Sequence, residues 1–493
     1  MITHLTHGIF TALDPINMLA IIAGTIIGVV VGALPGLTAS MGIALMTPIT
    51  FGMEPITGLL LVIALYIAAL YGGSISAIAF SAPGTPAAAA TALDGYPLAQ
   101  KGYPGKALGM SAIASTCGGI IGVVILIFFS INLAKMALSF GPPEYFTLGV
   151  FGLTIVSSFL GESWVKGFIA ALIGLLLSTV GVDPFTGYPR FTFQSTELFD
   201  GVGFIPVLIG LFAISEVFMM FEKTSVQAKG VIIKSKSIFS QLPTMKELSS
   251  NAINILRSSI IGTFVGVIPA AGASIASFIA YNEAKRYSKT PEEFGTGSIE
   301  GIAAAESANN ANCGGALVPM LSLGVPGSDA TAVLMSALML HGLIPGPLLF
   351  SQRPDIVYGI FSGLFIASIV MFLIGISGIP LWIKIIKLPK SLLAPIIFGI
   401  AFIGSYSINN RMLEVWIMLS FGIIGYFFRK RGFPVVATVI ALVLGNMIEG
   451  NLCRSLIMSK GSYLIFVTRP ISATLLFISV VSFVIPIYRN RKK

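Results

Sequence analysis

The sequence predicts an all-α polytopic membrane protein, and three observations lead to that prediction: composition, apolar runs and paired helix breaks. Of the 493 residues, 55% are hydrophobic and 10% are charged, whereas a soluble domain has about 25% charged residues. Apolar stretches of the length that crosses a bilayer recur, for example at 16–34, 107–138 and 356–383. We expect about 10 to 13 membrane-embedded segments, some of them broken or re-entrant.

The helix breaks belong to an imperfect internal repeat. Residues 28–40 and 262–274 share spaced glycines, a proline break and a closing Ala-Ser pair at the same spacing. A Gly-Gly pair then leads to Pro-Gly and a hydroxyl residue, at 72–85 and again at 314–328, where the gap is one residue longer. Matched pairs of interrupted apolar segments are typical of secondary transporters with two homologous halves.

The repeat divides the chain into a first transmembrane repeat, 1–221, and a second, 252–493. A lysine-rich stretch at 222–251 separates them, and the positive-inside rule predicts that it lies in the cytoplasm with the basic C-terminus. Such repeats are parallel or inverted, and we expect the inverted arrangement. The second repeat has an insertion of mixed charge at about 285–300, which predicts a solvated loop.

Charge and cysteine content exclude several classes. The net charge of +9 comes from basic clusters at the ends of apolar segments, and not from a nucleic-acid surface. Cys117, Cys313 and Cys453 are scattered, without disulfide or metal-ligand spacing. The start lacks the basic region of a cleavable signal peptide.

Catalytic motifs are also missing from the sequence. It has no phosphate-binding Gly-x4-Gly-Lys-Ser/Thr motif, and its histidines are His4, His7 and His341, without a zinc-binding helix motif. We therefore expect no enzyme activity, no cofactor and no metal beyond a possible Na⁺. A membrane-embedded enzyme is the alternative from another class.

The breaks are the candidate substrate site. Pro and Gly free backbone groups that the bilayer tolerates only in a cavity or inside protein. A half-helix N-terminus that follows a break favours an anion, and small hydroxyl side chains add donors. The alternative is that Gly serves close packing, Pro a kink, and each hydroxyl its own backbone. The predicted substrate-binding residues are Pro35, Gly36, Thr38, Ser40, Gly72, Gly73, Ser74, Pro83, Gly84, Thr85, Gly272, Ser274, Asn310, Gly314, Gly315, Pro326, Gly327 and Ser328.

The most polar intramembrane stretch, 306–312, suggests an ion site. Asn309, Asn312 and Asp329 are the predicted coupling-ion residues, because neutral oxygens with one carboxylate suit Na⁺. A proton remains the alternative ion, carried by Asp329 or Glu306. The stretch could also be a surface loop, and Asp94 in Asp-Gly-Tyr-Pro is expected in a turn at the membrane interface.

Several motifs resemble those of one known family. They are Gly-Ala-Leu-Pro-Gly-Leu-Thr-Ala-Ser at 32–40, Asp-Gly-Tyr-Pro-Leu-Ala-Gln-Lys-Gly at 94–102, Glu-Ser-Ala-Asn-Asn-Ala-Asn at 306–312, Leu-Gly-Val-Pro-Gly-Ser at 323–328 and His-Gly-Leu-Ile-Pro-Gly-Pro at 341–347. With these motifs the chain resembles the large membrane subunit, the TctA family, of the tripartite tricarboxylate transporters. The second break departs from the first, since Pro269–Ala270 stands where the first has Pro-Gly.

The resemblance implies a secondary transporter of the bacterial inner membrane that takes up carboxylates such as citrate on an ion gradient. It also implies two partners, a small membrane subunit and a periplasmic solute-binding protein. Alternating access, by an elevator or a rocking motion, would expose a site between the repeats. A stand-alone ion-coupled carboxylate carrier is the alternative within transport.

Overall fold

The described part of the chain is mainly helical, with two very short strands, which confirms the predicted all-α class. The computed structural model describes residues 2–159, 163–222, 241–386 and 390–490. The first helices are α1 Ile2–Leu13, α2 Pro15–Ala33, α3 Ala39–Thr50, α4 Pro55–Phe80, α5 Ala88–Gln100, α6 Pro104–Ala137, α7 Pro142–Phe159, α8 Trp164–Ser178 and α9 Phe204–Glu222. Two short strands, β1 Gly181–Val182 and β2 Pro189–Arg190, pair antiparallel between α8 and α9.

The helices continue in the same manner after residue 240. They are α10 Met245–Val267, α11 Gly272–Tyr287, α12 Ile299–Leu323, α13 Asp329–Leu340, α14 Pro347–Gln352, α15 Pro354–Ser377, α16 Ile379–Ile386, α17 Lys390–Asn409, α18 Met412–Lys430, α19 Val435–Met458, α20 Ile465–Thr468 and α21 Pro470–Asn490. Among the described residues, eight helices are long and apolar enough to cross a membrane. The polytopic prediction is therefore confirmed. Most of the predicted linker, residues 223–240, lies outside the described residues.

The chain forms two compact units, and each takes segments from both halves of the sequence. Unit 1 comprises Met1–Ala134 and Met220–Ile396, and unit 2 comprises Lys135–Met219 and Ile397–Lys493. The predicted halves thus contribute their first part to unit 1 and their last part to unit 2. The homology of the two halves stays a prediction from the sequence.

In unit 1, glycines bring α2 directly against the backbone of α4. A Cβ at Gly28 would lie 2.5 Å from the carbonyl oxygen of Leu65, and one at Gly32 would lie 1.9 Å from that of Ala69. Because residue numbers rise together on the two helices, α2 and α4 run parallel. These glycines serve the close packing that small residues allow between membrane helices.

The pair α10 and α12 has the same construction. A Cβ at Gly262 would lie 2.3 Å from the carbonyl oxygen of Ala308, and one at Gly266 would lie 2.7 Å from that of Asn312. These helices also run parallel, since the contacts again advance together. Each half of the sequence therefore contributes one glycine-packed parallel pair to unit 1.

These backbone contacts also define which glycines of the first half correspond to which glycines of the second half. A Cβ at Gly72 would lie 2.6 Å from the carbonyl oxygen of Val29, and one at Gly315 would lie 2.1 Å from that of Thr263. Gly315 thus occupies the place of Gly72, while Gly314 packs on the backbone of Gly122 in α6. When Gly315 is aligned with Gly72, the distance in sequence to the following Pro-Gly is the same in both halves, and the one-residue difference noted above disappears.

The two parallel pairs run in opposite directions. Asn309 Nδ2 donates to the carbonyl oxygen of Leu70 at 3.3 Å, and Asn310 Nδ2 donates to that of Ile67 at 3.2 Å. The contacts advance along α12 as they recede along α4, so these two helices are antiparallel. This is the orientation that an inverted pair of repeats would produce.

Unit 2 contains ion pairs between distant segments. Arg469 Nε donates to Glu144 Oε1 at 2.5 Å, and Arg190 donates to Glu449 through both terminal nitrogens, at 2.5 and 3.2 Å. Arg190 lies in the loop that carries β1 and β2, where the backbone N–H of Phe185 holds the pKa of Asp183 below its usual value. The Arg190–Glu449 pair fastens the loop onto α19.

Candidate functional site

Four helix interruptions lie in unit 1. Break A, residues 34–38, separates α2 from α3, and break B, residues 81–87, separates α4 from α5. Break C, residues 268–271, separates α10 from α11, and break D, residues 324–328, separates α12 from α13. The sequence predicted an interruption at each of these places.

The breaks contact one another within each half. A Cβ at Gly84 of break B would lie 1.8 Å from the carbonyl oxygen of Gly32, at the end of α2. In the second half, Ala270 N of break C donates to Gly327 O of break D at 2.9 Å. Glycine at 84 therefore permits an approach that no other residue would allow.

A hydrogen bond links the two halves at these breaks. Ser40 Oγ, in the first turn of α3, donates to Asp329 Oδ2, at the first residue of α13, at 2.6 Å. Breaks A and D, from opposite halves of the sequence, thus meet through the helices that they introduce. All four interruptions are thereby connected in one region of unit 1.

The backbone adopts left-handed conformations at breaks A and C and at the first residue of α11. Gly36 has φ of 100° and Gly272 has φ of 67°, both suited to glycine. Ala270 has φ of 64°, which is costly for a residue with a Cβ. Strained backbone of this kind concentrates at functional sites, so break C is a strong candidate for ligand contact.

Three of the predicted hydroxyl residues serve their own backbone. Thr38 accepts from Met41 N at 3.2 Å, and Ser328 accepts from Thr331 N at 3.2 Å, so both are helix N-caps. Ser74 Oγ donates to Tyr71 O at 2.7 Å. For these three residues, the structure agrees with the alternative stated from the sequence, in which each hydroxyl bonds to its own backbone.

Thr85 differs from those hydroxyls. Its Oγ1 is buried and has no hydrogen-bond partner among the described residues. A Cβ at Gly73 would lie 2.4 Å from this oxygen, so the glycine makes room for the threonine. A buried hydroxyl without a partner at a helix break is a suitable donor for a substrate oxygen.

The three asparagines of α12 do not converge on one point. Asn309 and Asn310 face α4, while Asn312 Nδ2 donates to Gly262 O of α10 at 3.2 Å. The Oδ1 atoms of all three are buried without a hydrogen-bond donor among the described residues. The stretch is a buried helix, and not the surface loop of the alternative interpretation.

Asp329 gives the N-terminus of α13 a carboxylate of its own. The favourable partial charge of this helix end is thus already matched by an anion, and Ser40 adds a donor. A substrate carboxylate would be repelled there. A cation would instead find the carboxylate and the Ser40 hydroxyl, both hard oxygen ligands.

Asp94 and Glu306 are buried acids whose surroundings the sequence did not predict. Asp94 lies within α5, fully buried, and not in a turn at the interface. Glu306 is fully buried in α12 and accepts hydrogen bonds from Thr91 Oγ1 and, at 2.8 Å, from Ser115 Oγ. The sequence carried one signal of this arrangement: Thr91 and Asp94 are one helical turn apart, so both side chains lie on the same face of a helix.

The comparisons with known proteins decide the family. Residues 18–440 match the model of the tripartite tricarboxylate transporter TctA family. The chain belongs to the TctA family. It is similar to a protein of Agrobacterium vitis described as an uncharacterized 52.8 kDa protein in the TAR-I ttuC' 3'region, with 37% identity over 98% of this chain and 96% of that protein.

A second relative covers one part of the chain. It is described as an uncharacterized protein in the TAR-II ttuC' 3'region of Agrobacterium vitis, with 37% identity over 47% of this chain and 97% of that protein. No solved structure matches the chain. The family match confirms the resemblance seen in the motifs, and this TctA-family chain is a multi-pass membrane subunit of a tripartite transport system.

Proposed function

We propose that the chain imports di- and tricarboxylates across the bacterial inner membrane, with the substrate bound where the four breaks meet. The meeting of interruptions from both halves in one compact unit supports this most strongly. Irregular backbone is tolerated at membrane depth where it is buried in protein or lines a cavity, and paired broken helices place transporter sites there.

The substrate carboxylates would bind at the helix ends that carry no acid. Breaks A, B and C introduce α3, α5 and α11, whose first backbone N–H groups favour anions. Thr85 would donate from break B, while Gly36 and Gly272 allow the backbone to approach the ligand closely. Ser274 lies in the first turn of α11 and completes the proposed donors.

Na⁺ is the proposed coupling ion, with Asp329 as its charged ligand and Ser40 as a neutral one. Moving one negative charge into a cell interior at −100 mV costs about 2.3 kcal/mol. A carboxylate with two or three charges therefore requires several accompanying cations. The short Ser40–Asp329 contact brings two hard oxygen ligands together beside the proposed substrate site.

Partners complete the proposed system. Because the family is tripartite, we propose that a periplasmic solute-binding protein delivers the carboxylate and that a small membrane subunit accompanies this chain. A stand-alone carrier, the alternative, would need neither protein. The C-terminus is proposed to face the cytoplasm, on the side of the basic clusters.

Uptake into proteoliposomes tests the proposal. The full chain is reconstituted with its small membrane subunit, and radiolabelled carboxylate uptake is measured with and without the binding protein under a Na⁺ gradient. We expect saturable uptake that requires the binding protein and falls strongly in Thr85→Val, while Thr154→Val in α7 of unit 2 serves as the matched control. Full uptake without the binding protein would favour the stand-alone carrier, and no uptake of any carboxylate would refute the proposal.

A further inference from the structure

Glu306 stands apart from the proposed substrate and Na⁺ residues. Its side chain is fully buried about two turns after the start of helix α12 in unit 1. Thr91 Oγ1 of α5 donates to one carboxylate oxygen, and Ser115 Oγ of α6 donates to the other at 2.8 Å. Three helices from different parts of the chain thus meet at this carboxyl group.

No cation balances the carboxylate. Among the described residues, no Lys, Arg or His nitrogen forms a salt bridge with Glu306. Five helices of the described chain carry titratable side chains around α12: Tyr66 and Tyr71 on α4, Asp94 and Tyr96 on α5, Lys106, Cys117 and Lys135 on α6, Lys246, Glu247 and Arg257 on α10, and Tyr281, Glu283, Lys285, Arg286 and Tyr287 on α11. Lys106 pairs with Glu247, and Tyr281 donates to Asp94.

Polar groups extend from Glu306 in two directions. Ser111, one helical turn before Ser115 on α6, shares a hydrogen bond of 2.6 Å with Ser74 of α4. Thr91 is followed one turn later on α5 by Asp94, whose Oδ1 accepts from the backbone of the loop before α12. Polar groups thus lie one helical turn from each of the two donors to Glu306, towards the loop before α12 on one side and towards α4 on the other.

The surroundings of Glu306 leave both of its protonation states accessible. A carboxyl group removed from water and without a cation favours the neutral form, while hydroxyl donors favour the ionised form. An ionisable residue inside a membrane protein is by default a candidate for ion transfer. A hydroxyl such as Thr91 can donate to the carboxylate or accept from the carboxylic acid, so neither state is left without a partner.

We propose that Glu306 is a proton site of the transport cycle, which binds one proton from the outer solution and releases it inside. The proton joins a carboxylate oxygen to form a neutral carboxylic acid, and the reverse step restores the anion. This inference rests on the proposed function as a carboxylate importer. It adds a second cation to the Na⁺ at Asp329, as a multiply charged substrate requires.

Proton binding can be measured directly. Purified full chain in a weakly buffered detergent solution receives substrate and Na⁺, and a pH indicator records protons taken up. We expect about one proton per bound substrate in the wild type and none in Glu306→Gln. Glu300→Gln, in the first turn of the same helix, is the matched control and should keep the wild-type value. Equal proton uptake in Glu306→Gln would overturn the proposal.

Transport separates failure of this proposal from failure of the proposed function. In proteoliposomes, Glu306→Gln should lose uptake driven by a pH gradient but retain exchange of internal for external substrate, since the amide imitates the protonated form. Wild-type exchange without any response to a pH gradient would overturn the proton site and leave the importer intact. Absence of exchange in the wild type would count against the importer itself.

A second variant keeps the proposal testable if Glu306→Gln fails to fold. Thr91→Val removes one donor to the ionised form and leaves the carboxyl group in place. The pH of half-maximal uptake should then rise by about one unit, because a lost hydrogen bond to a charged group corresponds to about that change. An unchanged pH profile in folded Thr91→Val would contradict the proposal.

Discussion

At the scale of single residues, Asp94 in unit 1 accepts hydrogen bonds at both of its carboxylate oxygens. Its Oδ1 accepts from the backbone N–H groups of Gly295, Gly297 and Ser298, each at 2.8 Å. Its Oδ2 accepts from Tyr281 Oη at 2.8 Å. The insertion of 285–300 is thus partly an ordered loop, folded around a carboxylate from the other half of the sequence.

Asp94→Asn should therefore destabilise the protein more than Tyr281→Phe. The asparagine keeps one oxygen for the three backbone N–H groups and turns its amide N–H towards Tyr281 Oη, but it loses the negative charge that strengthens these hydrogen bonds, at a cost of about 1.5 to 3 kcal/mol. Tyr281→Phe removes one hydrogen bond, worth about 1 kcal/mol. Thermal unfolding of the detergent-purified variants provides the measurement. Equal midpoints for both variants would mean that the three backbone contacts contribute nothing.

Asp329 permits a second residue-level prediction. Asp329→Asn should raise the Na⁺ concentration for half-maximal uptake about tenfold or more, because a full charge beside the ion is removed. Ser40→Ala should have a smaller effect of the same sign, since Ser40 is a neutral ligand. The measurement is uptake against Na⁺ concentration at fixed pH. If uptake instead shows no dependence on Na⁺ and follows only a pH gradient, the Na⁺ assignment to Asp329 is wrong.

At the scale of elements, glycine determines how closely α2 and α4 approach. Gly32→Ala would place a methyl group 1.9 Å from the carbonyl oxygen of Ala69, which neither helix can avoid by a side-chain movement. Overpacking of this kind costs about 1 to 3 kcal/mol, and more where backbone must move. We expect a large loss of folded protein on size-exclusion chromatography.

Gly399→Ala is the matched control for the Gly32→Ala variant. Gly399 lies inside α17, and a Cβ there meets nothing within 4 Å. Alanine also favours helix more than glycine does, so this variant should be as stable as the wild type or slightly more stable. Tolerance of Gly32→Ala at the same level would show that α2 and α4 separate readily.

The elements were largely predictable from the sequence, but their partners were not. Apolar runs and Pro-Gly breaks report where a helix lies in lipid and where it stops, and the breaks at 35–36 and 83–84 fall where predicted. Asp-Gly-Tyr-Pro at 94–97 is typical of a turn, yet α5 continues through Pro97. The loop that binds Asp94 is about 200 residues away in the chain, and local sequence carries no signal of it.

The site shows the same limit. Candidate residues at the breaks came from the chemistry of interrupted helices, but the contact of Ser40 with Asp329 spans 289 residues. The sequence placed Asn309 and Asn312 together as ion residues, whereas the structure directs them to α4 and α10. The helix that a buried side chain contacts depends on which neighbouring helix packs on that face, and the hydropathy pattern does not distinguish one neighbouring helix from another.

At the scale of the whole molecule, unit 2 indicates how the chain is oriented in the membrane. Lys166 Nζ, near the start of α8, donates to Arg431 O at 2.6 Å. The loop of β1 and β2 follows the other end of α8, and its Arg190 reaches Glu449, about 21 Å along α19 from Val435. The loop therefore lies at the opposite end of unit 2 from the basic residues 429–431.

The positive-inside rule places residues 429–431 in the cytoplasm, so we predict that the β1–β2 loop faces the outside. Phe193 in this loop is 87% exposed, and Arg431 is exposed at the other end. Single cysteines at these two positions, in a background where Cys117, Cys313 and Cys453 are serine, can be treated with a membrane-impermeant maleimide in spheroplasts. Phe193→Cys should react in intact spheroplasts and Arg431→Cys only after permeabilisation. The reverse pattern would invert the proposed orientation and place the C-terminus outside.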